Sequence, residues 1–106
     1  MQYITPILVN RHKCKTFDLY IGRGSIWGND NKVDLGKGHT RQIVVEMYRQ
    51  DMYRKLENGA IKIEDFLALS GKTIACSCAP LVCHGDVIID IFNEIVEMIN
   101  ESNVHL

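Results

Sequence analysis

Three of the chain's four cysteines, a histidine and an aspartate fall within eleven positions, in the string Cys76-Ser-Cys78-Ala-Pro80-Leu-Val-Cys83-His84-Gly85-Asp86. A turn needs no thiols, so this density points to chemistry, and two kinds fit. Cys76, Cys78, Cys83 and His84 offer three soft ligands and an imidazole for tetrahedral zinc, and three thiolates can alternatively hold an iron–sulfur cluster with one open iron. The spacing argues against both. Structural zinc sites favour Cys-x-x-Cys turns, an extended Cys-x-Cys puts both side chains on one face, and adjacent Cys83 and His84 do not easily reach one ion.

The second kind is a ligand or active site. A strand that runs through a turn into a helix presents backbone N–H groups and the positive helix end at Gly85-Asp86-Val87, a seat for phosphate or carboxylate. Cys83, at that helix start and beside His84, stands where a thiol pKa is lowered, so it is the candidate nucleophile, with His84 as acid/base and Asp86 as the group that orients it or accepts from a ribose hydroxyl. A plainer alternative is packing: Cys76 and Cys78 buried at a strand end, Asp86 an ordinary first-turn residue, Pro80 and Gly85 serving the turn, and His84 bonded only to backbone.

The partner of this loop is expected to be the stretch from Gly22 to Asn29. Gly22, Arg23, Ser25, Trp27, Asn29 and, across the cleft, Gly85 form the candidate ligand-binding set. Arg23 clamps an anion with its fork of donors, Trp27 either stacks on a planar base or pins the loop to the core, and Asn29 reads an edge. Such a site suits a small anionic, nucleotide-like ligand, either simply held or undergoing glycosidic-bond cleavage or transfer.

The elements that must position these groups follow from patterning. Ile4–Asn10 and Phe17–Ile21 read as short strands, the first restricted at its start by Pro6. Residues 22–39, rich in Gly, Asn and Asp, form a long irregular loop of the functional kind. Thr40 caps a helix to about Leu56, on which Arg41, Val45, Tyr48, Met52 and Leu56 share a face, and Asn58-Gly59 stops it. Ile61–Leu69 is a second helix, Lys72–Cys76 a third strand, and Asp86 or Val87 to about Asn100 a final helix with Ile88, Ile91, Phe92, Ile95 and Ile99 along one stripe. Residues 102–106 read as a frayed tail.

The order β-β-α-α-β-α implies a small α/β, Rossmann-like domain of two or three layers over residues 1–106, with a short, mostly parallel sheet. If the strands ending at Ile21 and Cys76 run parallel, both carboxyl ends emerge on the edge where open α/β sheets bind ligands.

Composition narrows the class. A chain of 106 residues, 46% hydrophobic and 24% charged, holds one modest core. No apolar run approaches the ~18 residues of a membrane span, and the start lacks the features of a signal peptide, so the expected compartment is cytoplasmic and the cysteines need another reason than a disulfide framework. The net charge of −1 hides an asymmetry: residues 1–56 carry ten Lys/Arg against five Asp/Glu, and residues 57–106 carry two against eight. A basic first half suits an anionic ligand but is too weak a bias for duplex nucleic acid.

Tyr20-Ile21-Gly22-Arg23, Trp27-Gly28-Asn29, Thr40-Arg41 and the Cys-x-Cys-x-Pro-x-x-Cys-His-Gly-Asp string together resemble the small phage and bacterial proteins of the domain of unknown function 4326 family, from about Tyr20 to Ile95. The resemblance implies a compact α/β domain of phage or bacterial cytosolic origin and no particular activity. This chain departs from the family pattern at Asp30, where Pro is expected, and Cys14 and His12 lie outside the motifs. Phage-encoded domains of this size also act by binding a host protein or sequestering a signalling nucleotide, which adds an interaction protein to the readings.

Overall fold

The fold is a three-stranded, all-parallel sheet with helices packed on it, as seen in a computed structural model that describes residues 2–77 and 83–104. The strands are β1 (Ile7–Asn10), β2 (Leu19–Tyr20) and β3 (Thr73–Cys76), in the spatial order β1-β3-β2. The helices are α1 (Arg41–Asn58), α2 (Ile63–Leu67) and α3 (His84–Val104), with one 3-10 turn at Leu35–Lys37 inside the long loop. The element order is the one expected from patterning, with the 3-10 turn added.

The strands are shorter than their apolar runs, for reasons visible in the backbone. Pro6 has no N–H to donate, so the ladder begins with Ile7 N–H donating to the Lys72 carbonyl at 3.0 Å. At β2, the Asp18 side chain takes the Thr73 N–H at 2.8 Å, a carboxylate standing where a strand carbonyl would pair. The ladder then runs past the strand ends, with Arg11 N–H on the Cys76 carbonyl and Ile21 N–H on the Ala75 carbonyl, both at 2.9 Å. These bonds hold the start of each following loop against the carboxyl edge.

In-register partners in parallel strands share a face, so Leu8, Ile74 and Leu19 point one way and Val9, Ala75 and Tyr20 the other. The first face builds the core: Ile74 and Cys76 pack with Ile21, with Tyr48 and Met52 of α1, Phe66 of α2, and Val87, Ile88, Ile91, Phe92 and Ile95 of α3. Burying each large apolar side chain of that α3 stripe contributes roughly 1.5–3 kcal/mol, which makes α3 the main support of the sheet. The result is one sheet layer and one helix layer.

Local chemistry sets the helix ends. Thr40 Oγ1 accepts from Ile43 N–H at 3.3 Å to open α1, and Gly59 closes it in the left-handed region at φ 82°. The buried face of α1 is Val44, Tyr48 and Met52, with Val45 and Leu56 half-buried; Arg41, expected on that face, is exposed. Asp65 accepts from Lys62 N–H at 2.8 Å and confines α2 to its five residues. Helix α3 starts two residues earlier than expected, at His84, and runs on through 102–104, where patterning suggested a frayed tail. Among the described residues no helix is long and apolar enough to cross a membrane.

The loop after β2 closes on itself through Ser25 N–H to the Gly22 carbonyl and Gly28 N–H to the Ser25 carbonyl. A side chain at position 28 would put its Cβ 2.9 Å from the Gly22 carbonyl oxygen and 3.0 Å from Arg23 Cα. Both are backbone atoms and cannot swing away. Gly28→Ala is therefore expected to destabilise the fold by about 1–3 kcal/mol in denaturant unfolding, and a neutral substitution would show that the loop does not close here.

Candidate functional site

The carboxyl edge of the sheet opens into a cleft of about 560 Å³. Tyr20, Gly22 and Arg23 enter it from the end of β2, Ser77 from the end of β3, and Cys83 and His84 from the start of α3. Asn29, Asn31, Lys32 and Val33 come from the long loop, and Arg41, Val44 and Val45 from the first turns of α1. Among the described residues its wall holds three cations, Arg23, Lys32 and Arg41, and no Asp or Glu. None of the three makes an ion pair or side-chain hydrogen bond among the described residues, whereas Arg49 is paired with Asp90 and Arg54 with Asp51. Two helix N-termini, those of α1 and α3, face the same space.

Cys83 stands at the cap position of α3. Its Sγ accepts from Gly85 N–H at 3.2 Å while Asp86 Oδ2 accepts from Cys83 N–H at 3.1 Å, a reciprocal capping arrangement with sulfur in the place of a hydroxyl. Cys83 is 2% exposed, and its sulfur lies 3.4 Å from Cys76 Sγ, too far for a disulfide. Burial, ahead of every other cause, pushes the thiol up to about 12, with the Cys76 sulfur and the Asp86 charge acting in the same direction and the Gly85 N–H opposing. The expected lowering at a helix start is reversed, because desolvation outweighs one amide dipole. A buried, protonated thiol suits packing and capping rather than nucleophilic attack. Asp86, expected to orient His84, is occupied with the Cys83 amide, and Gly85 is a packing glycine whose Cβ would press on Leu8.

His84 is oriented from elsewhere. Its Nε2 lies 2.7 Å from the Ile21 carbonyl oxygen, which can only accept, so Nε2 carries the hydrogen and Nδ1 is the lone-pair nitrogen. The Tyr48 ring meets the imidazole edge to face at 5.1 Å. Burial lowers the His84 pKa, opposed by the Ile21 bond and the Asp86 charge, so the ring is neutral at pH 7. Tyr48, whose hydroxyl donates to the Trp27 carbonyl at 2.7 Å, is held protonated far above the usual tyrosine range, chiefly by burial.

The long loop divides its residues between structure and cleft. Trp27 is 3% exposed and meets Phe66 edge to face at 4.9 Å, so it pins the loop to the core and is not a stacking wall. Ser25 donates to the Gly22 carbonyl at 2.7 Å and serves the turn. Asn29 lines the cleft, but its amide is committed: Nδ2 donates to the Val44 carbonyl, and Oδ1 accepts from Asn31 N–H and Nδ2. Asn31 donates onward to Asp51, which fastens the loop to α1. Gly22 leaves room for the Tyr20 ring, which would lie 2.0 Å from a Cβ there and carries the Arg11 guanidinium above it at 4.8 Å.

Of the residues named from sequence, Gly22, Arg23, Asn29, Cys83 and His84 thus line one cleft, while Ser25, Trp27, Gly85 and Asp86 support it from outside. For a metal, Cys76 and Cys83 bring two sulfurs together, but His84 Nε2 is turned to the Ile21 carbonyl. Cys78, the remaining ligand of that set, and Pro80 lie outside the described residues. Among the described residues no three His, Cys, Asp or Glu side chains converge. Sequence reasoning missed Lys32 and Arg41. Arg41 carried a legible signal, since a cation at the first position of a helix opposes the helix dipole and α1 has no acid in its first turn.

The model of the family described as Domain of unknown function (DUF4326) matches residues 8–94. A protein of Enterobacteria phage T4, described as "Uncharacterized 12.4 kDa protein in nrdA-td intergenic region", is 35% identical over 88 residues, which covers 83% of this chain and 78% of that protein. No solved structure matches the chain.

Two outcomes test the start of α3. Cys83→Ala, which removes the cap acceptor, is expected to cost about 1–2 kcal/mol in denaturant unfolding, and Cys83→Ser, which keeps an acceptor, less than half of that; equal losses would deny the cap. The His84 pKa is depressed in the fold, so below its ordinary value of 6.5 the unfolded chain takes the proton first. Stability should therefore fall as pH drops from about 6.5 toward the folded-state value, and His84→Gln, which keeps a donor to Ile21, should flatten that part of the melting-temperature profile. An unchanged profile would contradict the buried neutral ring.

Proposed function

The chain belongs to the DUF4326 family, and for this member we propose that the cleft binds a phosphate-bearing, nucleotide-like small molecule. One observation carries the reading: Arg23, Lys32 and Arg41 face a common space with no carboxylate on its wall and no partner of their own among the described residues. A volume of about 560 Å³ suits a ligand larger than a bare anion. The cations and helix ends take the phosphate, and the apolar wall of Val33, Val44 and Val45 takes the flatter, less polar part of the ligand. The edge location is also where open parallel sheets bind ligands.

His84 is the group available for proton transfer to or from a bound ligand, with the Ile21 carbonyl in the orienting role. Cys83 keeps α3 in place and is not required for chemistry. Sequestration of a nucleotide and its conversion share this binding step.

Calorimetric titration with nucleoside monophosphates and the matching nucleosides tests the reading. Binding of the nucleotide is expected to be tighter than that of the nucleoside by at least about tenfold, and Arg23→Ala to remove about that much, since hydrogen bonds to charged groups are worth roughly 1.5–3 kcal/mol. Cys83→Ser should bind as the parent does. Nucleosides binding as well as nucleotides, or Arg23→Ala binding unchanged, would overturn the proposal.

A further inference from the structure

We propose that the cleft is built for two linked phosphoryl groups, so that its ligand is a diphosphate or longer ester rather than a monophosphate. The inference rests on the phosphate reading above and adds to it the size of the charge. Arg23 follows β2, Lys32 sits ten residues or so along the loop and Arg41 opens α1, so the three cations approach from three separate stretches of chain. Among the described residues no carboxylate lines the cleft with them.

Charge complementarity decides between one phosphate and two. A phosphate monoester brings about −1.5 to −2 near pH 7, and each further phosphoryl group adds about one more negative charge. Against it stand three full positive charges and the partial charge of the α1 N-terminus, about +0.5, since the Asp86 carboxylate in the first turn of α3 offsets the dipole of that helix. His84, neutral and donating to Ile21, adds none. One phosphate would leave the cleft with an excess of about 1.5–2 positive charges, and a diphosphate brings it closer to balance.

The start of α1 supports the same conclusion independently of the side-chain count. Thr40 satisfies only the Ile43 N–H through its hydroxyl, and the Arg41 and Gln42 N–H groups have no acceptor among the described residues. At the start of α3 the capping exchange between Cys83 and Asp86 has already spent the Cys83 and Gly85 N–H groups. Helix α1, with Arg41 at its first position and no acid in the first turn, is thus the better anion seat, and Arg23 at the end of β2 is a second one. A cation at a helix N-terminus lowers helix stability, so Arg41 opposes the folding preference of its own helix.

Calorimetry with inorganic pyrophosphate and orthophosphate in magnesium-free buffer at pH 7.5 reads the difference without a base. Pyrophosphate is expected to bind at least about tenfold more tightly, and Arg23→Ala and Arg41→Ala each to lower pyrophosphate affinity by about tenfold or more, toward the orthophosphate level. Arg41→Ala should leave the melting temperature unchanged or raised, which separates lost contact from lost fold. Equal affinity for the two anions, or loss through Arg23 but not through Arg41, overturns the diphosphate inference and leaves the phosphate reading standing, whereas loss through Arg41 but not through Arg23 overturns both. Binding of neither anion overturns both.

Discussion

The bond from His84 Nε2 to the Ile21 carbonyl, 2.7 Å long, is the constraint on which the rest of the edge depends. It ties the first residue of α3 to the residue that follows β2, and so fixes the distance between the two sides of the cleft. Ile21 is itself held to the central strand through the Ala75 carbonyl, so the bond transmits the sheet geometry to the helix start. It also decides the tautomer of His84, because a carbonyl accepts a hydrogen bond and never donates one. Around it the thiol of Cys83, the carboxylate of Asp86 and the ring of Tyr48 are all committed to holding α3 where that bond requires.

What remains uncommitted on the cleft wall, among the described residues, is positive. Some charges elsewhere are paired across elements: Arg49 meets Asp90 and Tyr53 meets Glu94 between α1 and α3, and Asp51 takes both Asn31 and Arg54. Exposed pairs of this kind are worth ~0–1 kcal/mol each, so they set register more than they set stability. At the cleft the pattern breaks. Among the described residues, Arg23, Lys32 and Arg41 have neither partners nor acids beside them on the wall, and one of them sits at the wrong end of a helix for stability. Departures from locally consistent design concentrate where a sequence serves a ligand.

Element identity was legible in the sequence because each element carries a strong local signal: the stripe of Ile88, Ile91, Phe92 and Ile95, the Thr40 cap, the Gly59 stop. Boundaries were less so, since Asp18 and Pro6 shorten strands through hydrogen bonds that no periodicity shows. The edge that carries the cleft followed from the expectation of parallel strands, and with it the meeting of Arg23 and His84. The roles within the edge did not follow, because they depend on burial. Cys83 looks activated on paper and is a buried cap, Trp27 reads equally as a ligand wall or a core anchor until burial decides for the anchor on Phe66, and Asn29 spends its amide on the loop. Lys32 is one of several lysines in a polar stretch until the fold brings it over the sheet edge.

Amide chemical-shift mapping of the isotope-labelled protein during titration with inorganic pyrophosphate tests the central claim most directly, since it reports where an anion sits as well as whether it binds. Saturable shifts are expected at Gly22 and Arg23, Lys32 and Val33, Arg41 to Val45, Ser77, and His84 and Gly85, and nowhere else. Shifts centred on the opposite side of the loop, around Asp18, Ile26 and Lys72, or no saturable shifts at all, would contradict it.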